Sequence, residues 1–350
     1  EGDMIKRFWY CARGIDHVRT NDPCQDAYLS VRHGKNMVFG IGDGPGSRPH
    51  SERGSRRAVA SAVLYTANHL SDDLAPRDVE EVLRRAFLVS YHEVCELARQ
   101  AGEDVSELDT TLCLGVWDGN RLSFGQAGDS GMVAALADGT YVAVTRQQRT
   151  ADGYLIPLRF GPDTWEFGTV EADVAAVLVA TDGLLERVCP RLLADTDKPV
   201  YVPLAQILMH HTEKDVEELR TARHAWRAFV REDPRMHTTD DATMLVFFDP
   251  EHPPALRDES YYEEPDWETL RRELRERVMR RWMGEAVAAP ARDEPDAAGT
   301  ACALPDDPGA ALADESGVVP TAEKASAALC APTSAPRCAQ DAEKDSAEAR

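Results

Sequence analysis

The chain has 350 residues, 43% of them hydrophobic, and a formal net charge of -22 from 61 acidic and 39 basic side chains. That length and apolar content suffice for a buried core. The charge argues against a nucleic-acid partner, because phosphate contacts need clustered cations; divalent cations and basic proteins suit the chain better.

Eight cysteines, Cys11, Cys24, Cys95, Cys113, Cys189, Cys302, Cys330 and Cys338, form no CxxC pair and have no histidine at zinc-ligand spacing. They read as reduced thiols of a cytoplasmic protein. No run of about 18 apolar residues could span a bilayer, and residues 1–9 lack the apolar region of a signal peptide, so no membrane partner is expected. The chain opens on Glu1 rather than Met, which leaves room for further N-terminal sequence.

Residues 1–250 read as one domain of alternating strands and helices. Apolar and β-branched runs predict strands at 28–32, 36–42, 111–117, 121–127, 131–136, 141–145, 175–180 and 242–248. Asp118-Gly119-Asn120 and Asp138-Gly139 fall between short strands, where Asp-Gly favours the positive φ of a tight hairpin. Helices are expected at 54–69 and at 78–101, the latter with Val82, Leu83, Ala86, Phe87, Tyr91, Val94 and Leu97 in one stripe, and again at 202–211 and 214–231. Strand groups with helices inserted between them predict an α+β fold of antiparallel sheets with helices packed outside.

Residues 251–286 read as a linker and a terminal amphipathic helix, with Trp267, Leu270, Leu274, Val278 and Trp282 at intervals of three and four. The helix is expected to dock on the domain; its arginine-rich outer face suggests partner binding as the alternative. From Val287 the text is Ala, Pro, Asp and Glu with almost no aromatic or β-branched residues, too little apolar surface to offset ordering entropy. The segment 287–350 is therefore expected to be a disordered tail, with twelve acidic and five basic residues and a net charge of -7.

The chemistry sits in aspartates that directly follow apolar strands: Asp43 in MVFGIGDG, Asp129 in LSFGQAGDS and Asp182 in AAVLVATDG. In HTTDDATMLVFF, Asp240 and Asp241 directly precede one. If these strands are neighbours, several carboxylates meet at one rim, an unfavourable assembly unless cations occupy it. All-oxygen ligation suits Mg²⁺ or Mn²⁺ rather than zinc. Two such ions about 4 Å apart activate water and stabilise charge on a phosphoryl group. A single Asp-Gly is more often a turn, as at Asp118 and Asp138; the joint order carries the argument.

That order resembles the type 2C metal-dependent serine/threonine protein phosphatases in their compact bacterial form. The matching stretches are CQDA (24–27), GDGPGS (42–47) followed by RGSRRAV, TTLCLGV (110–116), GDS (128–130), ATDGL (180–184) and TTDDAT (238–243), covering residues 10–249. The resemblance implies a four-layer sandwich, two antiparallel sheets flanked by helices. It also implies a centre of two Mn²⁺ or Mg²⁺ ions and a third, weaker one. Asp43 would bridge two ions with the Gly44 carbonyl on one of them, Asp182 and Asp240 would ligate the other, Asp26 would ligate or hold metal water, and Asp129 would serve the third. The substrate implied is phosphoserine or phosphothreonine on a protein, within a serine/threonine kinase system.

Two positions depart from the family pattern. Where many members carry a phosphate-gripping arginine, Asn21 stands; Arg19 is the substitute chosen, with Arg13 and Arg48 as rivals. Where eukaryotic members carry a proton-donating histidine, Pro45 stands. These departures, with the acidic tail and terminal helix, motivate a competing reading, an inactive phosphatase-like binding or regulatory module; a hydrolase of small phosphate esters is a third reading. His17, near the first motif, reads as structural. Removing everything after Gly284 is expected to leave the fold and basal turnover intact; a collapse in solubility or melting temperature of the truncated chain would contradict the assignment of the tail.

Overall fold

The computed structural model describes residues 5–150 and 152–282. Runs of alternating or continuous apolar residues pair there into two antiparallel five-stranded sheets. The first contains β1 (Lys6–Ala12), β10 (Ala242–Phe248), β9 (Val174–Ala180), β6 (Gly131–Leu136) and β7 (Tyr141–Ala143), in that order. The second runs β2 (Ala27–His33), β3 (Asn36–Gly42), β4 (Leu112–Trp117), β5 (Leu122–Ala127) and β8 (Glu166–Thr169).

The sheets face one another across a core of Phe39, Ile41, Cys113, Trp117, Met132, Val177, Val179, Leu245 and Phe247. Successive side chains point to opposite faces of a strand, so Val38 of β3 points away from that core. There it joins Val59 and Val63 of α2 (Ser51–His69) and Leu83 and Phe87 of α3 (Pro76–Ala101). The other outer face carries α5 (Val202–Met209) and α6 (Val216–Glu232), where Phe8 packs edge-on to Phe248 and near Trp226. The layers are helix, sheet, sheet, helix, as the family resemblance implies. Strands covered on both faces explain why β3, β9 and β10 are apolar at nearly every position.

Four elements escaped the sequence reading. β1 carries Lys6 and Arg7 within a mixed run and lies at a sheet edge, and β8 is four residues long with a glycine inside. The helices α1 (Ile15–Thr20) and α4 (Asp182–Val188) are too short to show a period. Asp182 is thus the first residue of a helix that follows β9 rather than a turn residue.

Helix α2 is pressed onto the turn at Val105–Leu108: a Cβ on Gly54 would lie 2.0 Å from the Leu108 carbonyl oxygen. That close approach sets the height of the following Asp109-Thr110-Thr111 segment beside the end of β3.

Residues 251–265 strap across the sheet body. Ala255 N–H donates to the Ala137 carbonyl at 3.0 Å, the Tyr261 hydroxyl accepts from Tyr141 N–H at 3.0 Å, and the Tyr201 hydroxyl donates to Glu264 at 2.6 Å. A second compact unit begins at Asp266, and its described part is the single helix α7 (Trp267–Trp282). The expected tail, 287–350, lies outside the described residues. No helix among them is long and apolar enough to cross a membrane.

Phe39 is fully buried, with its ring centroid 4.5 Å from that of Phe247 in the facing sheet. Phe39→Ala is expected to cost about 3–5 kcal/mol, read as a lowered urea midpoint with unchanged slope.

Candidate metal centre

The strand ends converge because short contacts between distant segments leave them little freedom. Asp43 follows β3, and its N–H donates to the Thr111 hydroxyl at 2.8 Å while Thr111 N–H returns a bond to the Asp43 carbonyl at 2.8 Å. The same hydroxyl lies 2.8 Å from that of Ser130, joining the ends of β3, β4 and β6. Gly128, at φ +101°, turns the chain out of β5, and Asp129 follows it. A side chain at Gly128 would meet Thr111 at 2.5 Å.

Asp26, just before β2, is buried and accepts from the Thr181 hydroxyl at 2.9 Å. Thr181 Oγ1 in turn accepts from Thr243 N–H at 3.1 Å. One threonine therefore aligns the entries to β2, α4 and β10.

Carboxylate oxygens of Asp43, Asp129 and Asp182 all lie within 4.8 Å of one another. Burial, then the charges of Asp26, Asp182 and Asp129, push the Asp43 pKa well above the carboxylate range. Asp26 is raised by burial and then by Asp241, and Asp129 is pushed up to about 7 by burial and Asp182, partly offset by Arg149. Asp240 lies at the open lip, its Oδ1 accepting from Asp241 N–H at 2.8 Å. Its pKa is raised by the protein packed around it and by the charge of Asp182. Gly44 is buried, with its N–H donating to the Gln25 carbonyl at 3.2 Å.

Two charged residues that sequence reasoning left out of the site hold it together. Asp241 accepts from the N–H groups of Gly14 and Gln25, each at 2.6 Å, and faces His17 Nδ1 at 2.9 Å. It therefore ties the end of β1, α1 and the approach to β2 to the segment bearing Asp240. Gly14 is required there, since a Cβ would sit 2.5 Å from the Asp240 carbonyl carbon. The doublet Asp240-Asp241 was the available signal. Arg149, in the loop between β7 and β8, contacts the Asp129 carboxylate and lies 3.1 Å from Asp182 Oδ2. Nothing local in the polar stretch TRQQRT (145–150) announces it.

Arg19 sits on α1, exposed and 3.2 Å from Asp16. Among its rivals, Arg13 donates to the Asp22 carbonyl at 3.0 Å and Arg48 lies 3.5 Å from Asp109. Asn21 has a physical reason: it ends α1 in the left-handed region (φ 62°, ψ 26°), its N–H on the His17 carbonyl. Asparagine tolerates that conformation far better than a long side chain does.

The donor set is all oxygen and crowded, with the Asp26, Asp43, Asp129 and Asp240 carboxyls raised by burial and neighbouring charge, and its one ion-paired cation among the described residues is a guanidinium. That chemistry fits hard divalent cations. A sandwich with such a rim defines a protein built to hold hard cations at the ends of its strands. A family model for protein phosphatase 2C matches residues 13–224, more than half of the chain. The chain therefore belongs to the protein phosphatase 2C family of serine/threonine phosphatases, hydrolases of phosphoproteins.

Solved structures similar to the chain include a bacterial serine phosphatase, at 12% identity over 70% of this chain and 98% of that one, with a TM-score of 0.49. Serine/threonine phosphatase Stp1 from Staphylococcus aureus is 14% identical over 71% and 96%, with a TM-score of 0.49. The catalytic domain of serine threonine protein phosphatase PstP, in complex with two manganese ions, is 16% identical over 70% and 97%, with a TM-score of 0.47. No curated protein matches the chain.

The raised carboxylates set a pH dependence. A group such as Asp129, with a folded pKa of about 7, keeps its proton when the unfolded chain has released it. Folding free energy is therefore lost as pH rises from about 4 through about 7. The metal-stripped protein is expected to melt at progressively lower temperature across that window. Added Mn²⁺ should raise the melting temperature more above pH 7 than near pH 5; a flat profile would contradict the cluster's protonation.

Proposed function

We propose that the chain is a divalent-cation-dependent hydrolase of phosphoserine and phosphothreonine esters on proteins, served by two Mn²⁺ or Mg²⁺ ions and a third, weaker one. The observation that supports this reading best is the convergence of Asp43, Asp129 and Asp182, from three separate strand ends, within 4.8 Å. Asp43, with the Gly44 carbonyl, Asp182 and Asp240 would hold the principal pair. Asp26 would ligate or fix water beside them, and Asp129 would serve the weaker position. When bound, such ions supply an activated water and neutralise phosphoryl oxygens.

The remaining work belongs to the chain's own residues. Thr111 and Ser130 fix the strand ends that carry Asp43 and Asp129, and Thr181 directs the Asp26 carboxylate, before any ligand arrives, which spares reorganisation during reaction. Asp241 holds His17 and the Gly14 turn against the lip. No serine or cysteine nucleophile takes part, so no covalent phosphoenzyme forms. The partner is a phosphorylated protein from a serine/threonine kinase system. The reaction runs in the cytosol, in keeping with five free cysteines among the described residues.

The test is release of phosphate from p-nitrophenyl phosphate and from a phosphothreonine peptide, with and without Mn²⁺. Asp43→Asn is expected to lower kcat by at least about 100-fold. Equal inactivity of wild type and Asp43→Asn would remove the enzyme reading. Tight ion binding without turnover would favour a non-catalytic binding module, the reading that the Asn21 and Pro45 departures motivate. A preference for small phosphate esters over the phosphopeptide would reassign the substrate.

A further inference from the structure

We propose that Arg149 is a displaceable counter-cation: it pairs with Asp129 and Asp182, yields them to divalent ions, and then grips the substrate phosphate, a role for which position 21 offers no arginine. The inference rests on the function proposed above for the same site.

Placement is the first observation. Gln148 N–H donates to the Gly128 carbonyl at 3.0 Å, and the Gln148 side-chain oxygen accepts from Gly128 N–H at 2.8 Å. The Gln126 side-chain amide donates to the carbonyls of Gly128, Ser130 and Arg146 at 3.1, 2.9 and 2.8 Å. Two glutamines thus pin the loop root to the Gly128–Ser130 turn, so the residue after Gln148 falls over Asp129. The backbone cannot leave the site, whereas the long side chain can rotate.

Charge is the second. Among the described residues Arg149 is the one cation paired with a carboxylate of the cluster, using Nη2 for both Asp129 and Asp182. A guanidinium brings one delocalised positive charge, whereas a divalent ion brings two on a compact centre, so the ions outcompete it for the same oxygens. Once displaced, the guanidinium would stay within one side-chain length of Asp129 and Asp182, beside which a phosphoryl group would enter. Its planar fork matches phosphate oxygens bidentately. The fork has capacity to spare: Nε is buried with no hydrogen-bond partner, and Nη1 has only the Gly153 carbonyl at 3.5 Å.

Position 21 is the third. Left-handed backbone at the end of α1 disfavours an arginine there, and Arg19 points to solvent beside Asp16 with a side chain 74% exposed. The cation lost from the first motif is supplied from the β7–β8 loop.

Two probes that need no turnover test the proposal on the full chain. Calorimetric titration of metal-stripped protein with Mn²⁺ alone should show about 10-fold tighter binding in Arg149→Gln than in wild type. Arg149→Lys, which keeps a charge and controls for misfolding, should fall between them. Affinity that is unchanged or weaker in Arg149→Gln overturns the counter-cation role. Titration of Mn²⁺-saturated protein with inorganic phosphate should then show about 10-fold weaker binding in Arg149→Gln, partly restored in Arg149→Lys. Equal phosphate affinity in all three overturns the phosphate-gripping role. A chain that meets both expectations yet hydrolyses nothing sinks the phosphatase reading alone. One that hydrolyses phosphopeptide with unaltered affinities in Arg149→Gln sinks this inference alone.

Discussion

Carboxylates forced together in a poorly hydrated pocket repel one another, and the rest of this structure is arranged around containing that repulsion. Asp26, Asp43 and Asp129 all have raised pKa values because burial and mutual charge oppose their ionisation. Left alone, such a cluster would favour any conformation that separated its members. Two things oppose this: the guanidinium of Arg149, and a lattice of threonine and serine hydroxyls that fixes the strand ends. Divalent ions would answer the same electrostatic problem more completely, since each brings two positive charges on a compact centre.

The scaffold meets that cost with two cores. One fills the space between the sheets around Phe39, Trp117 and Phe247, and the other seats α2 and α3 on the outer face of β3 and β4. Neither core touches the chemistry directly, yet together they hold the ends of β3, β5 and β9 at one level. The lip is tuned by smaller devices, among them the close approach of Gly14 to Asp240 and the three contacts made by Asp241. Structural and electrostatic roles therefore fall to different residues: apolar side chains set positions, and polar ones set charge.

Much of this was legible in the sequence, for identifiable reasons. The bounds 36–42, 131–136 and 242–248 match β3, β6 and β10 because continuous apolar runs flanked by Gly42-Asp43, by Gly128-Asp129-Ser130 and Asp138-Gly139, and by Asp240-Asp241 leave little ambiguity. The aspartates at strand ends could be singled out because their spacing from the apolar runs is local. Edge strand β1 and short β8 could not be found this way, since their pairing comes from partners far along the chain. Arg149 was invisible for the same reason. Its position depends on Gln126 and Gln148 gripping a turn about twenty residues away, and no periodicity encodes such a contact. Asn21 stood out as a departure, but only the left-handed backbone explains it.

The pairing of β1 with β10 brings Lys6 beside Phe248 and Ala12 beside Ala242. Non-local pairing of this kind carries a high loop-closure entropy and folds slowly. During synthesis, the first strand must wait for nearly the entire body to emerge before it acquires its neighbour. Asp240, two residues upstream of β10, arrives at the same late moment. A chain cut short before β10 therefore lacks both the strand that joins β1 to its sheet and the Asp240-Asp241 pair.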